Sequence, residues 1–341
     1  MSHHELHETA RAIVATGKGI LAADESTGTI KKRLDSIGVE STVETRQAYR
    51  NLLFTTPGAE EFISGVILYD ETIRQSADDG TPFPELLASK GIIPGIKVDQ
   101  GAKPLALAAA GETVTEGLDG LRQRLEEYRG LGARFAKWRA TYTISDTLPS
   151  DYAIWTNAHA LARYAALCQE AGIVPIVEPE VLQDGTHTIE RSGHVTSRVL
   201  GALYTELLDQ RIDLEGTLLK PNMVLSGYDA ADRAGADEVA EATLHVFAKH
   251  VPAAVPGIVF LSGGQSDEDA TAHLNAMNAR GPHPWALSFS YGRALQAPAL
   301  KAWGGKPENV EAAQRAYYHR AKMNSAACTG SYAPAMEAAA A

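Results

Sequence analysis

The chain has 341 residues, 45% of them hydrophobic and 21% charged, a composition that excludes collagen-like and disordered chains. Its 31 basic against 42 acidic side chains leave a net charge of −11, so nucleic acid and anionic membrane are poor partners. Two cysteines, Cys168 and Cys328, without a CxxC pair, exclude a disulfide framework and an all-cysteine zinc site.

In chain order, eight short β-rich runs stand out: Gly19–Asp24, Gly65–Asp70, Pro94–Asp99, Phe135–Ala140, Val174–Glu180, Gly216–Met223, Ile258–Gly264 and Trp285–Gly292. Between them lie amphipathic stretches with helical spacing, such as LDGLRQRLEEYRGLGA and VTSRVLGALYTELLDQ. Strands alternating with helices imply a parallel sheet, because a parallel crossover needs a helix-length connection. Eight such units predict an α/β fold, a closed (β/α)8 TIM barrel. No linker divides the chain, so residues 1–341 are expected to form a single domain with an N-terminal helix. The small-residue-rich tail from about residue 328 is expected to be mobile. No apolar stretch approaches the ~20 residues that span a bilayer. The N-terminus carries Glu5 and Glu8 without an apolar signal core, so a cytoplasmic protein is expected.

Chemistry in such a barrel belongs at the C-terminal ends of the strands. There the runs carry Asp24, Lys97, Asp99, Lys137, Arg139, Glu178, Glu180, Lys220, Ser262, Ser288 and Ser290. One strand-end charge is ordinarily a solvated or paired residue; charges at the ends of six strands point to a common mouth. A desolvated lysine there offers an amine for attack on a carbonyl. Lys220, after Thr217-Leu218-Leu219 and before Pro221, has the most apolar neighbours and ranks modestly above Lys97 and Lys137. Glu178 and Glu180 supply proton-transfer groups around that amine. Asp24, expected on the far side of the mouth, is a second base.

Two segments suggest phosphate holding: Ser262-Gly263-Gly264 after run seven, and Ser290-Tyr291-Gly292-Arg293 after run eight. Loops after the seventh and eighth strands commonly build a phosphate site, with glycine amides and a guanidinium as donors. Across the mouth, Ser26, Thr29 and one of Lys31-Lys32-Arg33 suit a second anion; the other two basic residues fit a solvated helix face. The sequence lacks HExxH, GxxxxGK[ST] and GxGxxG motifs, and neither metal nor cofactor is expected.

The segments GKGILAADESTGTIKKRL, GVILYDET, GIKVD, FAKWR, GIVPIVEPE, LEGTLLKPNM, FLSGGQS, WALSFSYGRALQ and LKAWGGKPEN run through nearly the whole chain. Together they resemble the class I (Schiff-base) fructose-bisphosphate aldolases. The resemblance implies reversible, metal-independent cleavage of fructose 1,6-bisphosphate to dihydroxyacetone phosphate and glyceraldehyde 3-phosphate, in glycolysis and gluconeogenesis. It implies an imine on Lys220, with Glu178 as acid/base for carbinolamine dehydration, assisted by Glu180. Asp24 would act at the C4 hydroxyl, and Lys137 would stabilise developing negative charge. Ser262, Gly263, Ser290, Gly292 and Arg293 would hold the ketone-side phosphate; Ser26, Thr29, Arg33 and Lys97 would serve the other phosphate end, with Gly264 and Arg139 as further substrate-binding candidates. A phosphorylated sugar as substrate and a homotetramer follow from the same resemblance, and sedoheptulose 1,7-bisphosphate is a further candidate substrate. Animal-type members end in a tyrosine, whereas this chain ends in alanines with Tyr332 nine residues before the end, so little tail dependence is expected. A transaldolase-type Schiff-base enzyme would need one anion site rather than two. A barrel kept only as a scaffold would not need Asp24, Lys137, Glu178, Lys220 and Arg293 together.

Overall fold

A computed structural model describes residues 3–340. Eight parallel strands close into a barrel: β1 Gly19–Ala22, β2 Ile63–Leu68, β3 Ile93–Lys97, β4 Phe135–Tyr142, β5 Val174–Val181, β6 Leu218–Leu219, β7 Gly257–Phe260 and β8 Ala286–Tyr291. Each pairs with the next in sequence, and β8 closes on β1 through Ser290 opposite Ile20 and Tyr291 opposite Leu21. Closure removes both sheet edges. A two-stranded antiparallel ribbon, Ala102–Pro104 with Thr113–Thr115, is inserted after β3.

Inside the barrel, Ile20, Ile67, Phe135, Val174, Ile176, Leu218 and Val259 form an apolar plug. Phe135 fits because Gly95 and Gly65 lack side chains; a Cβ at Gly95 would run into its ring. The N-terminal helix His3–Ile13 closes the bottom by turning Leu6, Ala10 and Ile13, with Val14 after it, onto this plug. Gly257 makes that approach possible, since a Cβ there would lie 2.6 Å from Val14. A larger apolar shell packs between the strands and the outer helices. Three of those helices start on the hydroxyl caps Ser150, Thr188 and Ser266, each accepting from a backbone N–H in the first turn.

With the bottom sealed, the open end of the barrel is the C-terminal one. Strand β6 is short because Pro221 cannot donate to the ladder. Lys220 N–H makes the last bond to β5, to Val177 O at 2.8 Å, and its side chain is left at the rim.

The tail after Cys328 makes contacts that its composition does not announce. Residues Pro334–Ala340 form a 3-10 helix. Glu337 pairs with the buried Arg320 at 2.6 Å and with His319 at 2.8 Å, and it accepts from the Tyr332 hydroxyl at 3.0 Å. The expected mobile segment is thus tied to the helix Val310–Cys328 through this carboxylate, and the buried Tyr332 also donates its N–H to Asn275 Oδ1 at 2.9 Å. Among the described residues, no helix is long and apolar enough to cross a membrane.

Candidate active site

The mouth opens into a cavity of about 1380 Å³ lined by Asp24, Lys137, Glu178, Lys220 and residues of both suspected anion sites. At its floor, ion pairs run from β1 across β4 to β5 and β6. Lys137 Nζ lies 2.7 Å from Asp24 Oδ2 and 3.3 Å from Glu178 Oε2, and Lys220 Nζ lies 3.2 Å from Glu178 Oε1. Asp99 adds a carboxylate 3.9 Å from Lys137. Asp24 was expected opposite β5 and β6; the long Lys137 side chain spans that gap, so all four groups form one network.

Burial governs their charges first. It disfavours the Lys137 ammonium, but Asp24, Glu178 and Asp99 outweigh it and hold Lys137 well above the ordinary lysine range. Burial likewise favours a neutral Asp24 carboxyl, yet Lys137 and then Lys220 overcome it and hold Asp24 far below the ordinary carboxylate range. Lys137 is therefore a fixed cation and Asp24 a fixed anion. Among the described residues Lys220 has a single carboxylate partner, Glu178.

Several charges at the rim are already committed. Lys97, in register with Lys137, is bound by Asp99 through Oδ1 and the backbone carbonyl, both at 2.7 Å. Arg139 pairs with Glu180 on the neighbouring strand. Burial lowers Arg139, but Glu180 outweighs it and holds the guanidinium charged. Arg33 faces the cavity while Lys31 pairs with Asp35 at 2.7 Å on the outer surface. Ser26 and Thr29 hydroxyls lie 3.1 Å apart beside Arg33.

On the β7–β8 side, Arg293 donates to Gly263 O at 2.8 Å, and Gly263, at φ +57°, turns the loop. Ser290 Oγ is buried with no hydrogen-bond partner among the described residues, and Ser262, Gly264 and Gly292 line the same wall. The Gly264 amide is already donated, to Tyr228 Oη at 2.6 Å. Ser288 is a correction: it lies two residues deeper than Ser290, donates to Lys18 O and meets Cys328, at the opposite end of the barrel. Strand alternation gives its face but not its depth.

Two residues escaped the sequence reading. Glu25 is buried between Arg50, at 2.5 Å, and Arg33, and accepts from Gln296 at 2.9 Å, so it anchors Arg33 at the rim. Its one signal is its place beside Asp24. Tyr228, in a loop after β6, gave none.

The family model described as fructose-bisphosphate aldolase class-I matches residues 5–341. The chain is 58% identical over 333 residues to a Xylella fastidiosa protein named "Probable fructose-bisphosphate aldolase class 1", covering 97% of this chain and 99% of that one. It is 55% identical over 330 residues to "Fructose-bisphosphate aldolase 4, cytosolic" of Arabidopsis thaliana, covering 96% and 84%. The structure superposes with a TM-score of 0.95 on a Plasmodium falciparum fructose-bisphosphate aldolase, solved in a ternary complex with TRAP and a small-molecule inhibitor. That match has 51% identity and covers 97% of this chain and 95% of the other.

Proposed function

The chain belongs to the class-I fructose-bisphosphate aldolase family, aldehyde-lyases of EC 4.1.2.13, and we propose that it works through an imine on Lys220. The observation that carries this reading is the Lys220–Glu178 pair at 3.2 Å, buried at the end of β6 and β5 beside the fixed cation Lys137.

On this reading the Lys220 amine attacks the C2 carbonyl of fructose 1,6-bisphosphate. Glu178 gives a proton to the carbinolamine hydroxyl, water leaves, and the iminium forms. Asp24, ionised at rest, accepts the C4 hydroxyl proton and becomes a neutral carboxyl as the C3–C4 bond breaks, and returns that proton before the next turnover. The bond's electrons pass into the iminium to give an enamine, and glyceraldehyde 3-phosphate departs. Protonation at C3 and hydrolysis then release dihydroxyacetone phosphate and free Lys220. Lys137, beside both carboxylates, offsets negative charge as protons move. Glu180, tied to Arg139, assists by fixing the β4–β5 wall.

Arg293, Ser262, Ser290 and the Gly263 and Gly292 backbone suit the ketone-side phosphate, while Arg33, Ser26 and Thr29 suit the other. Lys97 is a weaker candidate, because Asp99 already neutralises it. The second anion site, expected across the mouth, instead follows β1, the neighbour of β8, with Arg33 beside Gly292, so the two sites adjoin. Two sets of anion donors in one mouth favour a bisphosphate and a single working domain. The wide mouth also supports acceptance of sedoheptulose 1,7-bisphosphate. A role in glycolysis and gluconeogenesis and a homotetrameric state belong to the same proposal, as does a cytoplasmic location, which the cytosolic Arabidopsis relative supports.

Incubation with dihydroxyacetone phosphate and borohydride tests the chemistry. Inactivation with one reduced triose phosphate on Lys220 is expected; label on another lysine, or none, defeats the assignment.

A further inference from the structure

The loop from Ser226 to Ala234, between β6 and the helix Ala236–His250, has no part in the steps above, yet it walls the mouth beside β7. Ala234 N–H closes it by donating to Ser226 Oγ at 3.2 Å. Three backbone bonds pin it to the loop after β5: Gly227 N–H to His187 O at 2.8 Å, Tyr228 N–H to Gln183 O at 3.0 Å and Asp229 N–H to Gly185 O at 3.0 Å. The Tyr228 ring is thereby laid against the loop after β7, so closely that a Cβ on Gly264 would collide with it.

The polarity of the groups on this wall is one-sided. Two of its acceptors, Gly263 O and Tyr228 Oη, are occupied by Arg293 and by the Gly264 N–H. What remains can donate: the Gly263 amide, the buried Ser290 hydroxyl without a partner, the Arg293 guanidinium and the Tyr228 proton. A phenol has one proton to give, and Tyr228 gives it to no acceptor among the described residues. Behind the ring, 5.6 Å from its centroid, stands Arg233, which pairs with no carboxylate among the described residues. A wall rich in donors and cations, with its carbonyl and phenol acceptors filled and no carboxylate among the described residues hydrogen-bonded to Tyr228, fits a multiply charged anion better than a sugar hydroxyl.

We propose that the Tyr228 hydroxyl is a further ligand of the ketone-side phosphate, accepting from Gly264 N–H and donating to a phosphate oxygen. The proposal rests on the aldolase reading of the site and deepens it: Gly264 acts on the phosphate through Tyr228 rather than directly. Burial, with smaller contributions from Glu180 and Asp184, raises the Tyr228 phenol more than the Gly264 N–H and Arg293 lower it, so the proton stays in place to be donated. A hydrogen bond already accepted from Gly264 polarises the hydroxyl and strengthens the one it donates.

The test compares wild type with Tyr228→Phe, which keeps the ring and removes only the hydroxyl. Inorganic phosphate, titrated calorimetrically, should bind Tyr228→Phe about ten-fold more weakly. In borohydride trapping, half-maximal labelling by dihydroxyacetone phosphate should need a correspondingly higher concentration. Labelling by dihydroxyacetone, which has no phosphate, should shift far less. Unchanged phosphate binding, or an equal shift with both ketones, overturns the assignment and leaves Tyr228 as loop packing. Absence of any Lys220 label in wild type strikes instead at the imine reading, and the calorimetric comparison still decides the Tyr228 question.

Discussion

Glu178 stands between two lysine nitrogens, with Oε1 3.2 Å from Lys220 Nζ and Oε2 3.3 Å from Lys137 Nζ. The two lysines differ in their other company. Lys137 also pairs with Asp24 and lies near Asp99, which hold it cationic against burial. Lys220 has Glu178 as its one carboxylate within 4 Å among the described residues and acts on Asp24 from farther off. The lysine with fewer anionic neighbours is the one proposed to attack the substrate carbonyl. One carboxylate thus touches both the proposed nucleophile and the fixed charge beside it.

Glu178→Gln keeps the shape and one acceptor oxygen, but it loses the charge that meets both lysines and cannot pass a proton. Turnover should fall by about 10²–10⁴, and borohydride trapping of dihydroxyacetone phosphate should slow with it. Trapping at the wild-type rate would remove Glu178 from imine formation.

Asp24→Asn should separate the two halves of the reaction. Imine formation at Lys220 is kept, so dihydroxyacetone phosphate is still trapped, while cleavage of fructose 1,6-bisphosphate drops roughly a hundred-fold or more. The variant also has a pH signature. Because the folded-state value of Asp24 lies below its ordinary 3.8, its contribution to stability is present above that pH and is lost as pH falls below it. Melting temperature against pH should therefore decline less steeply on the acid side in Asp24→Asn, and parallel acid limbs would contradict the ion-pair account.

The residues that could be read from sequence are those whose direction a strand fixes. Lys137, Glu178 and Lys220 follow from strand ends and from Pro221, which stops β6 at the rim. Ser288 shows the limit of that logic, since its face is right and its depth wrong. Glu25 and Tyr228 sit in loops, where direction is set by partners distant in sequence: Arg50 for one, Gly264 for the other. Closure of the barrel was legible from eight strand-and-helix units. The docking of the tail was not, because its partners, Arg320 for Glu337 and Asn275 for the Tyr332 N–H, lie on helices whose placement only the fold supplies.

That glutamate gives a third prediction. Deleting the residues after Tyr332 removes Glu337 and leaves the buried Arg320 without its strongest partner, although Thr271 Oγ1 and Asp267 O still accept from it. Breaking one side of a buried pair costs about 3–5 kcal/mol; with those two acceptors kept and Glu337 partly exposed, roughly half of that is expected here. The melting temperature should drop by several degrees, while turnover at a temperature where both forms are folded changes little. Glu337→Gln should reproduce most of the thermal effect. A truncated chain that melts like the full one would show that the latch contributes nothing.

Arg293 allows binding to be separated from chemistry. It is proposed to grip a phosphate that is present in the ground state and in the transition state alike, so its loss acts on both equally and appears in KM. Removing one charge-assisted contact costs about 1.5–3 kcal/mol, or roughly ten- to a hundred-fold in affinity. Because Arg293 also donates to Gly263 O at 2.8 Å, Arg293→Ala frees the loop as well and should lie toward the upper end. Arg293→Lys restores the charge without the planar fork, so it should recover part of the affinity and none of the loop bond's geometry. Set beside Glu178→Gln, whose loss falls on kcat, the pair forms a double dissociation in steady-state kinetics with fructose 1,6-bisphosphate. If Arg293→Ala instead lowers kcat as severely as Glu178→Gln at unchanged KM, the guanidinium belongs to the reacting centre and the phosphate assignment on this side of the mouth fails.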